Sequence, residues 1–320
     1  MIIIYGSGGQ DGRLLRNLLL EDRTVPGQQP LVGVTRSGIF DLRAGKAIAD
    51  KSDKSTVVNF IRGLGKGTIE KIFYFAAHHS SSEITTQDKC SDDETMEINR
   101  DLPITLAEEA AKNSRPRFIY ASSARIFEGY ESPITVTEKT NPIPVSSYAL
   151  SKSLADTELR HVHSLDKIDL TTVIFFGHES HFRNKTFLSA KIASGIVNVA
   201  REGRGCVLLG DPSAVLNWGH AEEYVRATVD VSRRISVPKL VIGAEELITV
   251  MDYVEACCRS LGVCPERLIR KDDSIKLRSS VVHKASLDLL AKTIGWKPNL
   301  NIDQLAKNMT NYYLRIAPKK

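Results

Sequence analysis

The sequence predicts an α/β fold, a doubly wound parallel sheet with a smaller C-terminal α/β lobe. Three observations carry this expectation. Short apolar runs alternate with amphipathic helical stretches along most of the 320 residues, the pattern of right-handed βαβ units. The opening run MIIIY leads directly into a turn with glycines at Gly6, Gly9 and Gly12. A third stretch, from Arg117 to Lys152, passes from a buried-strand run through a Pro- and Gly-containing loop into a helix.

The opening strand is followed by a GxxGxxG turn and the helical run from Arg13 to Leu20. Glycines there permit a tight turn, bring backbone N–H groups close to a pyrophosphate and leave room for helix–strand packing. Because the turn follows a strand and opens a helix, the context is that of a Rossmann-type dinucleotide site. A second strand, Leu31 to Thr35, ends at Arg36. An acidic residue at that place would hold a ribose 2′-hydroxyl, whereas a guanidinium can pair with a 2′-phosphate. NADP is therefore the expected cofactor, with NAD as the alternative and a plain surface arginine as the bland account. A strand at Ala47 to Ala49 places Asp50 to touch the adenine.

A helix around Ser55 to Leu64 precedes a strand from Ile72, whose end, Ala76 and Ala77, is expected to flank the cofactor. The following His78 and His79 project in different directions with no ligand cluster nearby, so no metal site is expected. A helix from Glu97 to Ala111 carries Asn99.

The run Phe118 to Ala121 ends at Ser122 and Ser123, and Tyr148 stands four residues before Lys152 at the start of a helix. Residues four apart share a helix face. The lysine charge can lower the phenol pKa and make Tyr148 an acid–base group, while Ser123 hydrogen-bonds the same substrate oxygen. The competing account, a solvated helix face, is weakened by the serine-ended strand upstream. Beyond it the chain continues with a strand over Leu170 to Phe176, a helix over Asn184 to Ala200, a short strand at Val207 to Gly210, a helix over Glu222 to Val231 and a strand over Lys239 to Gly243. Helices near Thr249 to Ser260 and Ser286 to Thr293 follow. Residues 1–177, with 218–245 returning, are expected to bind the dinucleotide; 178–217 and 246–320 form the substrate lobe.

Hydrophobic residues make up 42% of the chain and the net charge is +5, scattered without a basic stripe, which argues against a nucleic-acid binder. Five cysteines form no CxxC pair and no disulfide framework. The MIIIY start is too short, and lacks the flanks, for a signal peptide or membrane span. A cytoplasmic protein without a membrane partner is expected.

These motifs resemble the extended short-chain dehydrogenase/reductase family and, within it, the GDP-mannose 4,6-dehydratases. Gly9-Gln10-Asp11-Gly12 is similar to the family's phosphate-binding turn, and Tyr148 with Lys152 to its catalytic pair. His178-Glu179-Ser180, Trp218-Gly219-His220 and Gly295-Trp296-Lys297-Pro298 are similar to dehydratase segments. The resemblance implies a nucleotide-sugar substrate, GDP-linked, and an NAD(P)-dependent enzyme working at a sugar C4 hydroxyl or keto group. It also implies substrate contacts from Ser122, Arg125, His178, Glu179, Lys191, Trp218 and Arg278, with basic residues such as Lys191 or Arg278 holding the pyrophosphate. A homodimer or homotetramer would pair the helices carrying Leu102, Leu106, Leu154 and Ala155.

One departure falls at the chemistry. Where the dehydratases carry a glutamate two residues after the strand-end hydroxyl residue, this sequence has Arg125, with Glu128 three residues further on. A guanidinium cannot take up a carbon-bound proton. Three outcomes stand open: hydride transfer with reduction or epimerisation, dehydration through Glu128 or a water, and a decayed cofactor-binding regulator.

Overall fold

The computed structural model describes all residues except 23–28, 80–82, 85–90, 235–236, 278–280 and 317–320. One sheet holds β1 (Ile2–Tyr5), β2 (Leu31–Thr35), β3 (Gly38–Asp41), β4 (Lys46–Ala49), β5 (Lys71–Tyr74), β6 (Arg117–Ser123), β7 (Asp169–Phe175) and β8 (Lys239–Ile242). Its order is β8-β7-β6-β5-β1-β2-β3-β4. Every pairing from β8 to β2 is parallel. Strands such as β6 are buried along nearly their whole length, as expected where helices cover both faces.

The last two strands run differently. β3 pairs with β2, and β4 with β3, in antiparallel fashion. The sequence reading anticipated β4 but not β3. Thr35 pairs with Gly38, so Arg36 and Ser37 form a two-residue hairpin loop, and Gly38 has φ of 146°. A side chain at Gly38 would sit 2.3 Å from the Ala49 carbonyl oxygen, so only glycine fits. A parallel return would need a crossover of a dozen residues or more, which this short segment does not have.

Helices α1 (Gln10–Glu21), α2 (Lys54–Gly63), α3 (Leu102–Ala111), α4 (Ser147–Ser164), α5 (Leu188–Glu202), α6 (Ala221–Arg234), α7 (Val250–Leu261), α8 (Asp288–Ile294) and α9 (Ile302–Ile316) complete the chain. α9 was not foreseen. α1, α6 and α8 cover one sheet face, where Leu14, Leu15 and Leu19 meet Tyr224, Val225 and Leu290. Each such leucine contributes about 1.5–3 kcal/mol on burial. α2, α3 and α4 cover the other face. Leu102, Leu106 and Ala155, expected at a subunit interface, are buried there against their own sheet.

A third core joins α5, α7 and α9 through Ile192, Ile196, Tyr253, Val254 and Met309. Between α5 and α7 the chain returns to the main sheet, laying down α6 and β8. Among the described residues no helix is long and apolar enough to cross a membrane.

One helical register deserves description. Ahead of α3, the α-helical segment Asp92–Met96 passes into a π turn over Glu97–Asp101. Its carbonyls are taken up by two buried tyrosines: Tyr74 donates to Ile98 O, and Tyr120 donates to Asn99 O at 2.7 Å. The Asn99 side chain, fully buried, accepts from His78 N at 2.9 Å and donates to His78 O at 3.0 Å and Ser151 Oγ at 3.1 Å. The loop after β5 is thereby pinned to α4.

Candidate active site

A cleft of about 1310 Å³ opens where β1, β2, β5, β6 and β7 end, the usual place for ligands in an open parallel sheet. The glycine turn supplies Gly6, Gly9, Gln10 and Asp11, the β2–β3 hairpin supplies Arg36, and the end of β5 supplies Ala76 and Ala77. Ser122, Ser123, Arg125, Tyr148 and Lys152 form the facing wall, and His178, Glu179 and Trp218 the remaining side. Most of the residues expected from sequence therefore meet in one place.

Three expected residues stand apart, and a fourth cannot be placed. Gly12 lies behind the lining, where a Cβ would sit 2.1 Å from Gly6 O, so it serves helix packing. Asp50 is exposed at the end of β4 and does not line the cleft; Asp53 does, while capping α2 through Thr56 N at 2.9 Å. Lys191 sits in the first turn of α5 outside the lining, its charge acting on Asp272. Arg278 lies outside the described residues.

At the turn, Gly6 has φ of 90°, and a Cβ there would meet Ala76 N at 2.6 Å. Glycine lets the turn lie flat against the β5 end. Gly9 caps α1 without a side-chain bond and faces the cleft, leaving that helix end open to an anion. Asp11 follows. Its two carboxylate oxygens both lie 3.1 Å from His178 Nε2, and His178 Nδ1 lies 2.7 Å from Phe176 O. Both ring nitrogens face acceptors, so the ring is an imidazolium. Burial pushes the His178 pKa down, but the Asp11 charge and hydrogen bond outweigh it and raise it. Burial likewise pushes Asp11 up, and His178 brings it below its ordinary value. Gln10 Nε2 donates to His178 O at 3.1 Å, and Ser180 Oγ donates to Gln10 Oε1 at 3.1 Å. The turn and the segment after β7 are thus tied by three contacts.

On the facing wall, Ser146 caps α4 by accepting from Ala149 N at 3.2 Å, and Tyr148 enters the cleft from the first turn. Burial pushes its phenol up; a side-chain hydrogen bond with Ser123 and the charges of Arg125 and Arg183 pull part of the way back, leaving it above its ordinary value. Arg125 stacks 5.5 Å from the Tyr148 ring centroid, and the His79 ring lies 5.3 Å from it.

Arg125 is also bound to Glu128, whose Oε2 accepts at 2.8 and 3.1 Å. Glu128 Oε1 accepts from Ser146 N at 2.6 Å. Burial raises the Glu128 pKa, but Ser146 and Arg125 overcome this and lower it. Glu128 is therefore no solvated loop carboxylate: its side chain is only 11% exposed and both oxygens are engaged.

Lys152 departs from the expectation that its charge activates Tyr148. It is 1% exposed, its Nζ donates to Ala121 O at 2.9 Å and lies 4.8 Å over the Tyr120 ring, and burial drops its pKa to about 7. Arg13, Lys54 and Arg183 also line the cleft and were missed from sequence, while His79 lines it as expected of the loop that follows a cofactor-binding strand. Only Arg183 left a signal, standing four residues beyond Glu179, with which it forms an ion pair at 3.2 Å.

With this geometry in hand, comparison with known proteins is informative. The GDP-mannose 4,6-dehydratase sdnI of Sordaria araneosa is 25% identical over 96% of this chain and 59% of its own length, so the chain spans about three fifths of that relative. The Pseudomonas aeruginosa protein RMD, solved with NADPH, superposes with a TM-score of 0.78 over 98% of both chains at 15% identity. The UDP-glucose 4-epimerase of Thermotoga maritima, solved with UDP-glucose, gives 0.80 over 98% of both chains at 16% identity. Both share the fold. A family model described as GDP-mannose 4,6 dehydratase matches residues 3–309. That span runs from β1 into α9 and takes in the glycine turn, the Tyr148–Lys152 helix and the His178 segment, and the chain belongs to the GDP-mannose 4,6 dehydratase family.

Proposed function

We propose that this protein is an NADP-dependent nucleotide-sugar oxidoreductase or epimerase that works through a C4 hydroxyl or keto group of a GDP-linked sugar. The observation that carries the reading is that Ser123 and Tyr148 line the same cleft as the glycine turn, with Ser123 close enough to pull the phenol's pKa down. The residues present fit a dinucleotide: the glycine cradle at Gly6 has no room for a Cβ, the α1 end is open, and Ser122 Oγ is a buried hydroxyl on the cleft wall without a partner among the described residues. Gly6, Gly9 and the α1 N-terminus would hold the pyrophosphate, Arg36 the 2′-phosphate, and Ala76 and Ala77 the adjoining face. When bound, the nicotinamide exchanges a hydride with the sugar carbon.

The protein's own part is the proton. In oxidation Tyr148 as phenolate takes the proton of the sugar hydroxyl; in reduction the phenol returns it to the oxygen. Ser123 holds that oxygen in line, and Lys152, with one of its donors on Ala121 O, keeps others for a ribose hydroxyl. His178, Glu179, Trp218 and Arg183 line the sugar side. We assign residues 1–177 and 218–245 to the cofactor portion, although α8, from the stretch assigned to the sugar portion, packs on the main sheet through Leu290. A homodimer or homotetramer belongs to the same proposal and is tested by light scattering.

Loss of water needs a group that both takes and gives a proton near the working pH. Arg125 stays protonated, and Glu128 is held as a carboxylate by Arg125 and Ser146. A second reading, dehydration, is kept by one observation, that Glu128 lines the cleft. Incubation with GDP-, UDP-, dTDP- and CDP-sugars, recording product mass, separates the two. A change of two hydrogens, or no mass change with an altered sugar, supports the proposal; loss of water overturns it in favour of dehydration.

A further inference from the structure

The spacing of Tyr148 and Lys152 gave the lysine the task of stabilising the tyrosine's anion, but the lysine points elsewhere. Its ammonium donates to Ala121 O and lies over the neighbouring Tyr120 ring. It is buried with no carboxylate among those bonds, and at a pKa of about 7 its charge is only partly present at neutral pH. Arg125 occupies the place beside the phenol. Its guanidinium stacks on the Tyr148 ring at 5.5 Å. It is fixed there by Glu128 Oε2 through two donors, at 2.8 and 3.1 Å, and by Ser146 Oγ at 3.4 Å. The Arg125 backbone amide donates to Ser123 Oγ at 3.3 Å, and Ser123 in turn pulls the Tyr148 pKa down. Backbone and side chain of one residue thus meet both members of the Ser123–Tyr148 pair. A guanidinium keeps its charge at any working pH, which a buried ammonium does not.

We propose that Arg125, clamped by Glu128 and Ser146, is a positioning residue that supplies the permanent positive charge for the Tyr148 phenolate and presents Ser123 to it. The arginine that replaces a carboxylate would then do work in the reaction rather than mark its loss. The proposal deepens the acid–base reading of Tyr148 and rests on it. The groups facing Tyr148 from the surrounding elements are Arg125 after β6, Arg183 after the His178 segment, Asp11 in α1, Tyr120 in β6, His79 after β5 and Lys152 in α4. Arg125 precedes Arg183 among the charges that favour the anion, and Asp11 opposes it. Arg183 is shared with Glu179 and with the Phe187 ring at 4.2 Å.

The test reads the resting protein, so that a failure of turnover and a failure of this inference are told apart. Tyrosine is replaced biosynthetically with fluorotyrosine, which lowers the phenol's own pKa into a range where the fold persists, and 19F NMR follows each ring against pH. The Tyr148 resonance is assigned by its loss in Tyr148→Phe. In Arg125→Gln its midpoint should rise by about one pH unit, the lower end for loss of an opposite charge at this range. Arg125→Lys should restore most of the shift, which excludes mere disturbance of the loop, and Lys152→Met should move the midpoint by much less. An unchanged midpoint in Arg125→Gln, or a rise in Lys152→Met as large as in Arg125→Gln, overturns the proposal. If no nucleotide sugar is turned over but the midpoints move as expected, the assignment of Arg125 stands and the proposed reaction falls.

Discussion

Asp11–His178 and Arg125–Glu128 are both ion pairs on the wall of one cleft, yet the first joins residues 167 apart in sequence and the second joins neighbours on one turn. The first is the more buried, with side chains 18% and 12% exposed, and it sews the glycine turn to the segment after β7. The second has its arginine 32% exposed and is held by the local turn and the α4 cap. A pair that bridges distant segments acts on the fold and on the cofactor end together. A pair made within one turn can be altered without disturbing the frame.

Substitutions can break this contrast, beginning with the largest effect. Tyr148→Phe should lower turnover by roughly two or more decades, as for any lost acid–base group, with circular dichroism unchanged. Residual rates near wild type would place the proton elsewhere. His178→Ala leaves Asp11 as an uncompensated, largely buried carboxylate; the expected cost is roughly 3 kcal/mol, the lower end for a broken buried pair, read from urea unfolding. Arg36→Ala should weaken NADP binding by one to two decades, from about 1.5–3 kcal/mol for a charged hydrogen bond, and leave NAD binding little changed. Equal affinities before and after would remove Arg36 from the cofactor site. Glu128→Gln, which keeps an acceptor for Arg125 but gives up the one for Ser146 N, should leave kcat within a few fold; a large loss with cofactor binding intact would restore dehydration.

The subtlest difference is in pH. The His178 pKa is raised on folding, so its stabilising contribution is complete below the ordinary histidine value and is lost as pH climbs through the raised one. Asp11 and Glu128 are lowered, so their contributions hold above the ordinary carboxylate values and vanish as pH falls through the lowered ones. Alkali should therefore weaken only the long-range pair, whereas acid weakens both. Urea midpoints measured from acid through mildly alkaline pH should fall more steeply on the alkaline side for the native sequence than for His178→Ala.

The parallel sheet was legible because its buried strands are largely apolar runs, Thr171 and Thr172 of β7 being exceptions, and the glycine turn because its spacing is steric. The β2–β3 hairpin was not. Gly38 is identifiable as its signal only once Thr35 is known to pair with it. Tyr148, Ser123 and Arg125 could be placed by spacing along neighbouring elements, but the direction of Lys152 depends on where the Ala121 carbonyl falls, which no local pattern encodes. Asp11 and His178 were each singled out, yet their union is a tertiary contact across most of the sheet. Of the four residues read as a subunit surface, Leu102, Leu106 and Ala155 are covered by their own sheet and Leu154 is half-buried: apolar residues on a helix satisfy an inward or an outward face alike.

The π turn at Glu97–Asp101 has a consequence for how this site can vary. Each residue advances an α-helix by about 100°, so removing one residue from that turn would rotate Asn99 away from His78 and Ser151 and leave Tyr74 and Tyr120 without their carbonyl partners. The loop bearing His79, whose ring lies 5.3 Å from Tyr148, would lose its mooring to α4. The placement of that ring is written in the length of the helix as well as in its composition. Exchange of one side chain for another leaves that count untouched; only an insertion or deletion resets it.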